Sequence, residues 1–165
     1  MATCRALDHA ITQGIHGLPL MGSGGFTSLL AALLRASSGL GVYWHHATHR
    51  PEFFLDLARA EDTRPRIMLW SGISVGHEEG DRVSILSWLL EDLGLPDLLV
   101  TAPRDNGPDA MDSFFDILAY VVDRKEPIPD GDTFGRTEHE RIRVRYVPSP
   151  ADAERRVCCI DLPEV

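Results

Sequence analysis

Residues 66–88 of this 165-residue chain read RIMLWSGISVGHEEGDRVSILSW. Two apolar runs rich in strand-forming residues, 66–75 and 82–88, flank the polar stretch 76–81. Two such runs joined by a short polar segment that contains glycine are typical of a β-hairpin. The stretch therefore predicts two neighbouring antiparallel strands with a polar tip.

Strand and helix patterns alternate beyond this hairpin. Residues 97–101 predict a strand, and a helix follows that Asp105 or Asn106 can cap. Its apolar positions recur at helical spacing: Met111, Phe114, Phe115, Leu118, Val121 and Val122. Residues 141–146 alternate with period two, which predicts a strand with one solvent-facing side, and residues 156–162 predict a last strand at a sheet edge.

This order of elements favours an α+β fold over a doubly wound parallel fold. We expect a single compact domain over residues 1–165, with a mostly antiparallel sheet and helices packed on one face. A chain of this length can bury a core that needs neither disulfides nor a structural metal.

Charge and hydropathy exclude two classes of partner. The chain holds 25 acidic and 16 basic side chains, a formal net charge of −9, and residues 61–165 carry all of the excess acidity. Nucleic-acid binding needs clustered Lys and Arg, and a membrane span needs an apolar run of ~20 residues. We therefore expect neither nucleic acid nor a membrane as a partner.

Cysteine usage and the first 25 residues predict a cytoplasmic protein. Residues 1–25 contain no apolar stretch typical of a secretory signal, and three cysteines make a poor disulfide framework. Adjacent strand residues point to opposite faces, so a disulfide between Cys158 and Cys159 would be strained. We expect two small apolar side chains, one turned inward and one outward.

Three imidazoles lie within five residues, those of His45, His46 and His49. Neutral histidine is the commonest metal ligand, and a carboxylate of Asp130 or Asp132 could complete a transition-metal site. The same residues also fit a polar loop with solvated histidines, and Asp-Gly-Asp is typical of a turn. We favour the loop and the turn, with no cofactor, and keep the metal site as the alternative.

Charged and aromatic residues supply the candidates for partner binding. Arg141, Arg143 and Arg145 form a row on one side of a predicted strand, where guanidinium groups can bind carboxylate or phosphate. The full candidate set adds the aromatic pair and the acidic hairpin tip: Tyr43, Trp44, Glu78, Glu79 and Asp81.

An ordered series of motifs resembles a bacterial family, domain of unknown function 4261. The series comprises residues 41–44 (GVYW), 51–55 (PEFFL), 68–70 (MLW), 93–98 (LGLPDL), 130–135 (DGDTFG) and 142–146 (IRVRY). The resemblance spans residues 26–148 and implies a compact α+β domain of uncharacterised activity. Residues 1–25 form a divergent N-terminal segment, and His45 stands where such proteins usually have glycine.

Two functions remain as the main hypotheses, and a scaffold domain within a larger assembly is a third possibility. The first is a non-enzymatic binding module, similar to an immunity or adaptor protein, whose acidic surface engages a basic protein partner. The second is a metal-dependent hydrolase built on His45, His46 and His49.

Overall fold

The structure is a computed structural model, and it describes residues 23–44, 47–135, 137 and 139–163. Four helices and nine strands occur in the described residues. In chain order they are α1 (Ser23–Ala36), β1 (Val42–Trp44), β2 (Ala47–His49), α2 (Pro51–Arg59), α3 (Thr63–Trp70), β3 (Gly72–Glu78), β4 (Arg82–Trp88), β5 (Leu98–Pro103), α4 (Gly107–Arg124), β6 (Thr133–Phe134), β7 (Ile142–Arg143), β8 (Arg145–Pro148) and β9 (Arg156–Asp161). Short 3₁₀ turns cover Leu90–Leu93 and Arg104–Asn106.

A five-stranded sheet in the order β3-β4-β5-β9-β8 forms the centre of the fold. Its neighbours are antiparallel except β5 and β9, which run parallel. The predicted α+β class with a mostly antiparallel sheet is confirmed, and the single parallel pair makes the sheet mixed. Two small ribbons, β1-β2 and β6-β7, accompany the sheet.

The predicted hairpin is confirmed for residues 82–88 and for the second half of residues 66–75, and it is wrong for the first half of that run. Strands β3 and β4 pair from Gly72–Trp88 to Glu78–Arg82. Residues 66–70, however, belong to helix α3 rather than to a strand. A short apolar run does not distinguish a buried helix from a strand, and Pro65 in the first turn of α3 was the available sign of a helix start.

Helix α4 packs across β4 and β5 and forms the main core. Its buried positions recur at helical spacing and agree with the predicted amphipathic helix. They are Ala110, Ser113, Phe114, Ile117, Leu118 and Val121. The sheet side chains beneath it include Ile85, Val100 and Ile160, each almost fully buried. This face of the sheet is called the helix face below.

A second apolar cluster joins the three smaller helices to β1. It contains Leu30, Val42, Phe54, Leu69 and Trp70, and Leu93 and Val122 contact both this cluster and the main core. The Trp70 indole N–H donates to the Thr27 hydroxyl over 2.9 Å, which satisfies the one polar group of that buried ring.

The opposite face of the sheet carries its own small cluster, made of strand residues within the described chain. Leu86, Leu99, Val157 and Cys159 are buried there. Cys158 lies on the helix face instead, and both thiols are free. The predicted opposite orientation of the two cysteines is confirmed, although both are buried rather than one being exposed.

The two edge strands of the sheet differ in whether their outward backbone N–H and C=O groups have hydrogen-bond partners. On β8 the Tyr146 N–H donates to Asp130 Oδ1 over 2.9 Å, and Arg156 donates to the Tyr146 carbonyl oxygen. On β3 no strand of the described residues pairs with the outer side. The predicted edge position of residues 156–162 is wrong, because β9 lies between β5 and β8 and β8 is the edge.

No helix in the described part of the chain is long and apolar enough to span a membrane.

Candidate functional site

His49 is a buried residue beside the second apolar cluster rather than an exposed loop histidine. It ends β2, opposite Val42, and its imidazole lies 5.8 Å from the Phe53 ring and 6.3 Å from the Phe54 ring. Burial lowers the pKa of this imidazole below its usual 6.5. His45 and His46 lie outside the described residues, so the structure does not show whether the three imidazoles meet.

The Asp130–Asp132 segment has the hydrogen bonds of a turn. Asp130 accepts from the backbone of β8, as described above, and Asp132 Oδ1 accepts from the Thr133 N–H over 2.8 Å. Gly131 has φ +83°, a conformation that glycine adopts without strain. Both aspartates thus have positions that the turn itself requires.

The described residues contain no group of three or more His, Cys, Asp or Glu side chains that could hold a metal ion. The metal-dependent hydrolase therefore gains no support from this part of the chain. That hypothesis rests on His45 and His46.

The arginine row begins just before β7 and continues into β8, two strands of different sheets, and it keeps its alternation. Arg141, Arg143 and Arg145 are exposed, whereas Ile142 and Val144 between them are buried in the main core. Strand β7 pairs with β6, and β8 pairs with β9. The chain passes from one sheet to the other at Val144, whose N–H donates to the Asp132 carbonyl oxygen over 2.8 Å.

These arginines line one open surface depression of about 390 Å³, called the arginine depression below. Its other lining residues are Ile142, Asp161 and Pro163. Ligand pockets in proteins commonly have volumes of about 300–1,000 Å³. The depression is thus large enough for a small ligand.

Asp161 connects the arginine depression to the strands on its other side. Its carboxylate accepts from the Thr101 hydroxyl over 2.8 Å and pairs with Arg82, and Arg145 Nη2 lies 4.0 Å away. Thr101 and Asp161 face each other near the C-terminal ends of the parallel strands β5 and β9. Arg82 and Asp161 are so distant in sequence that no local pattern predicts this network.

The predicted acidic tip of the hairpin is an exposed turn. Glu78 ends β3, and Glu79 and Asp81 follow with no buried neighbour at the tip. Asp81 lies 3.4 Å from Arg104 Nη1, and the Arg104 N–H donates to the Asp81 carbonyl oxygen over 3.0 Å. The tip is thus partly neutralised by an ion pair of its own.

The aromatic pair on β1 divides between surface and core. The Tyr43 side chain is 59% exposed, whereas Trp44 is half-buried and stacks on Phe26 with ring centroids 4.4 Å apart. Of the two, Tyr43 presents the larger area to a partner.

A larger acidic surface, which is not among the predicted candidates, lies on the outer side of α4. Its acidic members are spaced for one helical face, and all of them are exposed. With the tyrosine that lies among them they are called the α4 stripe: Asp109, Asp112, Asp116, Tyr120 and Asp123. The spacing itself was the available signal, since it is the polar complement of the apolar face.

Helix α3 neutralises part of the α4 stripe. Arg64 Nη2 lies 2.6 Å from Asp112 Oδ1, and Arg64 Nη1 lies 3.3 Å from Asp116 Oδ1. The Thr63 hydroxyl donates to Asp123. Arg64 thus pairs with two of the four carboxylates, and the stripe stays net negative.

Asp97 is a buried carboxylate that ties three segments together. Its Oδ1 accepts from the Leu90 N–H over 3.0 Å, and its Oδ2 lies 3.1 Å from Arg155, which also lies 3.0 Å from Glu91. Burial raises the pKa of Asp97, although the Leu90 N–H and Arg155 act in the other direction. These contacts make Asp97 a structural residue of the 3₁₀ turn.

Comparisons with known proteins give one match. A search of curated proteins and a search of solved structures each found no matching protein. Residues 90–162 match a family model described as a domain of unknown function, DUF4261. This range includes β5, α4 and β9, and with them the α4 stripe and every lining residue of the arginine depression except Pro163. The match confirms over residues 90–162 the family resemblance that the motifs at 93–98, 130–135 and 142–146 indicate.

Proposed function

We propose that this protein is a non-enzymatic, cytoplasmic binding module that engages a basic protein partner through the α4 stripe. An immunity or adaptor protein works in this way. The α4 stripe replaces the hairpin tip as the main acidic surface, because it places four exposed carboxylates around an exposed tyrosine on one helix, whereas the tip offers three acidic side chains and no aromatic one.

The observation that carries the proposal is an exposed tyrosine within the acidic stripe. Tyr120 is 46% exposed, and Asp116 and Asp123 lie four residues before and three residues after it on the same helix. Tyrosine is enriched among the residues that dominate binding energy, and its ring attracts guanidinium and ammonium groups. The Arg124 guanidinium already lies 5.3 Å from the centre of this ring.

Charge complementarity supports a cationic partner. Each carboxylate of the stripe is exposed, so its attraction to a partner acts mainly on the rate of association and weakens with salt. A tyrosine beside these charges adds an apolar contact that salt does not screen.

Two free sheet thiols fit a cytoplasmic location, where cysteines stay reduced.

The test uses a fluorescent peptide that alternates lysine, arginine and leucine, followed by anisotropy at low and at physiological salt. The stripe variant carries Asp109→Asn, Asp112→Asn and Asp116→Asn. The matched control carries Glu78→Gln, Glu79→Gln and Asp81→Asn, so both variants lose three negative charges. We expect the stripe variant to bind about tenfold more weakly and the control to bind almost as well as the unmodified protein.

A second variant separates the tyrosine from the charges. Tyr120→Ala leaves the net charge unchanged, and we expect it to weaken binding about fivefold at both salt concentrations. Equal losses in the stripe variant and the hairpin control would show attraction to net charge alone and would refute the proposal. Circular dichroism of each variant checks that the fold is intact.

A further inference from the structure

The arginine depression concentrates positive charge on a chain whose net charge is −9. Arg141, Arg143 and Arg145 line it, and Arg82 reaches its border through Asp161. Asp161 is the one acidic residue among the lining side chains that the structure describes. The local balance is thus opposite in sign to that of the whole molecule.

The backbone determines the direction in which each arginine side chain leaves the strand. Ile142 and Val144 are anchored in the main core, so the alternation of the strand directs the three arginines outward. Hydrogen bonds reinforce this, since the Val144 carbonyl oxygen accepts from the Gly131 N–H over 3.0 Å. A row anchored in this way loses less entropy on binding than arginines on a mobile loop.

Asp161 positions one arginine without cancelling the charge of the site. Its carboxylate already accepts from Thr101 and pairs with Arg82, which balances its negative charge. Arg145 lies at the outer limit of an ion pair, 4.0 Å from Asp161. The nitrogens of Arg145 that do not face Asp161 can serve a ligand.

Arg143 stands at the centre of the row. In the part of the chain that the structure describes, no ion pair or hydrogen bond engages its guanidinium group, although the residue is exposed. Arg143 also lies opposite Thr133 in the β6-β7 ribbon, which supports its backbone. Its planar fork of N–H donors is therefore available to an oxyanion.

We propose that the arginine depression binds a small oxyanion with at least two anionic groups, phosphate or carboxylate. Guanidinium groups bind both by paired, charge-assisted hydrogen bonds. Alternate residues of a strand lie about 7 Å apart, so neighbouring arginines suit two linked anionic groups better than one. This site is separate from the α4 stripe, and neither depends on the other.

The experiment measures binding of pyrophosphate and of citrate by isothermal titration calorimetry at constant ionic strength. We expect saturable one-to-one binding of at least one of them. Comparison of the two ligands identifies the source of the oxyanion, because phosphate and carboxylate groups then differ in affinity at the same site.

Three variants test the assignment. Arg143→Gln removes the central fork and should weaken binding about tenfold or more. Arg143→Lys keeps the charge but loses the fork, and should recover only part of that loss. Arg104→Gln removes one exposed arginine that pairs with Asp81, and should leave the affinity unchanged.

Two results would overturn the proposal. One is the absence of saturable binding of either ligand to the unmodified protein. The other is an equal loss in Arg143→Gln and Arg104→Gln, which would show a general effect of charge. Peptide binding at the α4 stripe should be the same in Arg143→Gln, so failure of this proposal is distinguishable from failure of the proposed function.

Discussion

Replacing Asp97 by alanine should destabilise the protein by about 1–4 kcal/mol. The side chain is 6% exposed and accepts from the Leu90 N–H, and Leu90 is fully buried. Losing the acceptor leaves a buried donor without a partner, which costs about 1–3 kcal/mol. The ion pair with Arg155 adds about 1 kcal/mol at most, because that arginine is 36% exposed and water screens it.

Two further variants separate the acceptor from the charge. Asp97→Asn keeps an oxygen for the Leu90 N–H, and burial already raises the pKa of Asp97, so the folded protein gains little from its ionised form. We expect this variant to lose only about 1 kcal/mol. Glu91→Gln removes the exposed partner of the same arginine and should cost less than about 0.5 kcal/mol.

Urea denaturation followed by circular dichroism measures all three free energies of unfolding, with unchanged m values as the check on two-state unfolding. A loss below about 0.5 kcal/mol in Asp97→Ala would refute the reasoning. Equal losses in Asp97→Ala and Asp97→Asn would show that the charge, rather than the acceptor, stabilises the turn.

Three other predictions concern the histidine, the cysteines and two glycines. The unfolded chain binds a proton at His49 near pH 6.5, whereas the folded protein binds it only at lower pH. Stability should therefore fall as pH decreases below 6.5, and a urea-midpoint series in which His49→Phe shows the same fall would contradict this. Burial raises the pKa of Cys158 to about 12 and also raises that of Cys159, so at least two thiols should react with a disulfide reagent only after unfolding. Gly41→Ala would place a Cβ 2.7 Å from the His49 carbonyl oxygen and should cost about 1–3 kcal/mol. Gly24→Ala, in the first turn of α1, meets no atom within 4 Å outside its own helix backbone and chain neighbours and should stabilise the protein by about 0.5–1 kcal/mol in the same urea assay.

Hydrophobic spacing and strand alternation predicted the features that depend only on neighbouring residues in the sequence. The buried face of α4 follows from apolar spacing alone, and the alternation of residues 141–146 persists although Val144 separates two strands. The orientation of Cys158 and Cys159 follows from the pleat of a strand. The charge of the arginine row could also be predicted, because it needs only the spacing of three residues.

Long-range pairing could not be predicted from one sequence. The parallel pair of β5 and β9 joins residues about 60 positions apart, such as Thr101 and Asp161, and no local pattern specifies that contact. The same holds for the network that joins Arg82 to Asp161. Helix α3 was mistaken for a strand because its apolar residues serve two clusters, with Ile67 in the main core and Leu69 in the second.

The closed edge of β8 limits how this protein can assemble. Both outward backbone groups of Tyr146 are occupied by side chains, and Pro148 has no N–H to offer. Within the described five-stranded sheet, intermolecular strand pairing is therefore confined to the β3 side. A sheet with one unpaired edge can pair with one other copy, and no edge then remains for a third copy. Growth into a fibre needs two unpaired edges on each copy. Replacing Asp130 and Arg156 together would free both outward backbone groups of Tyr146 and leave Pro148 as the remaining block to pairing on this side.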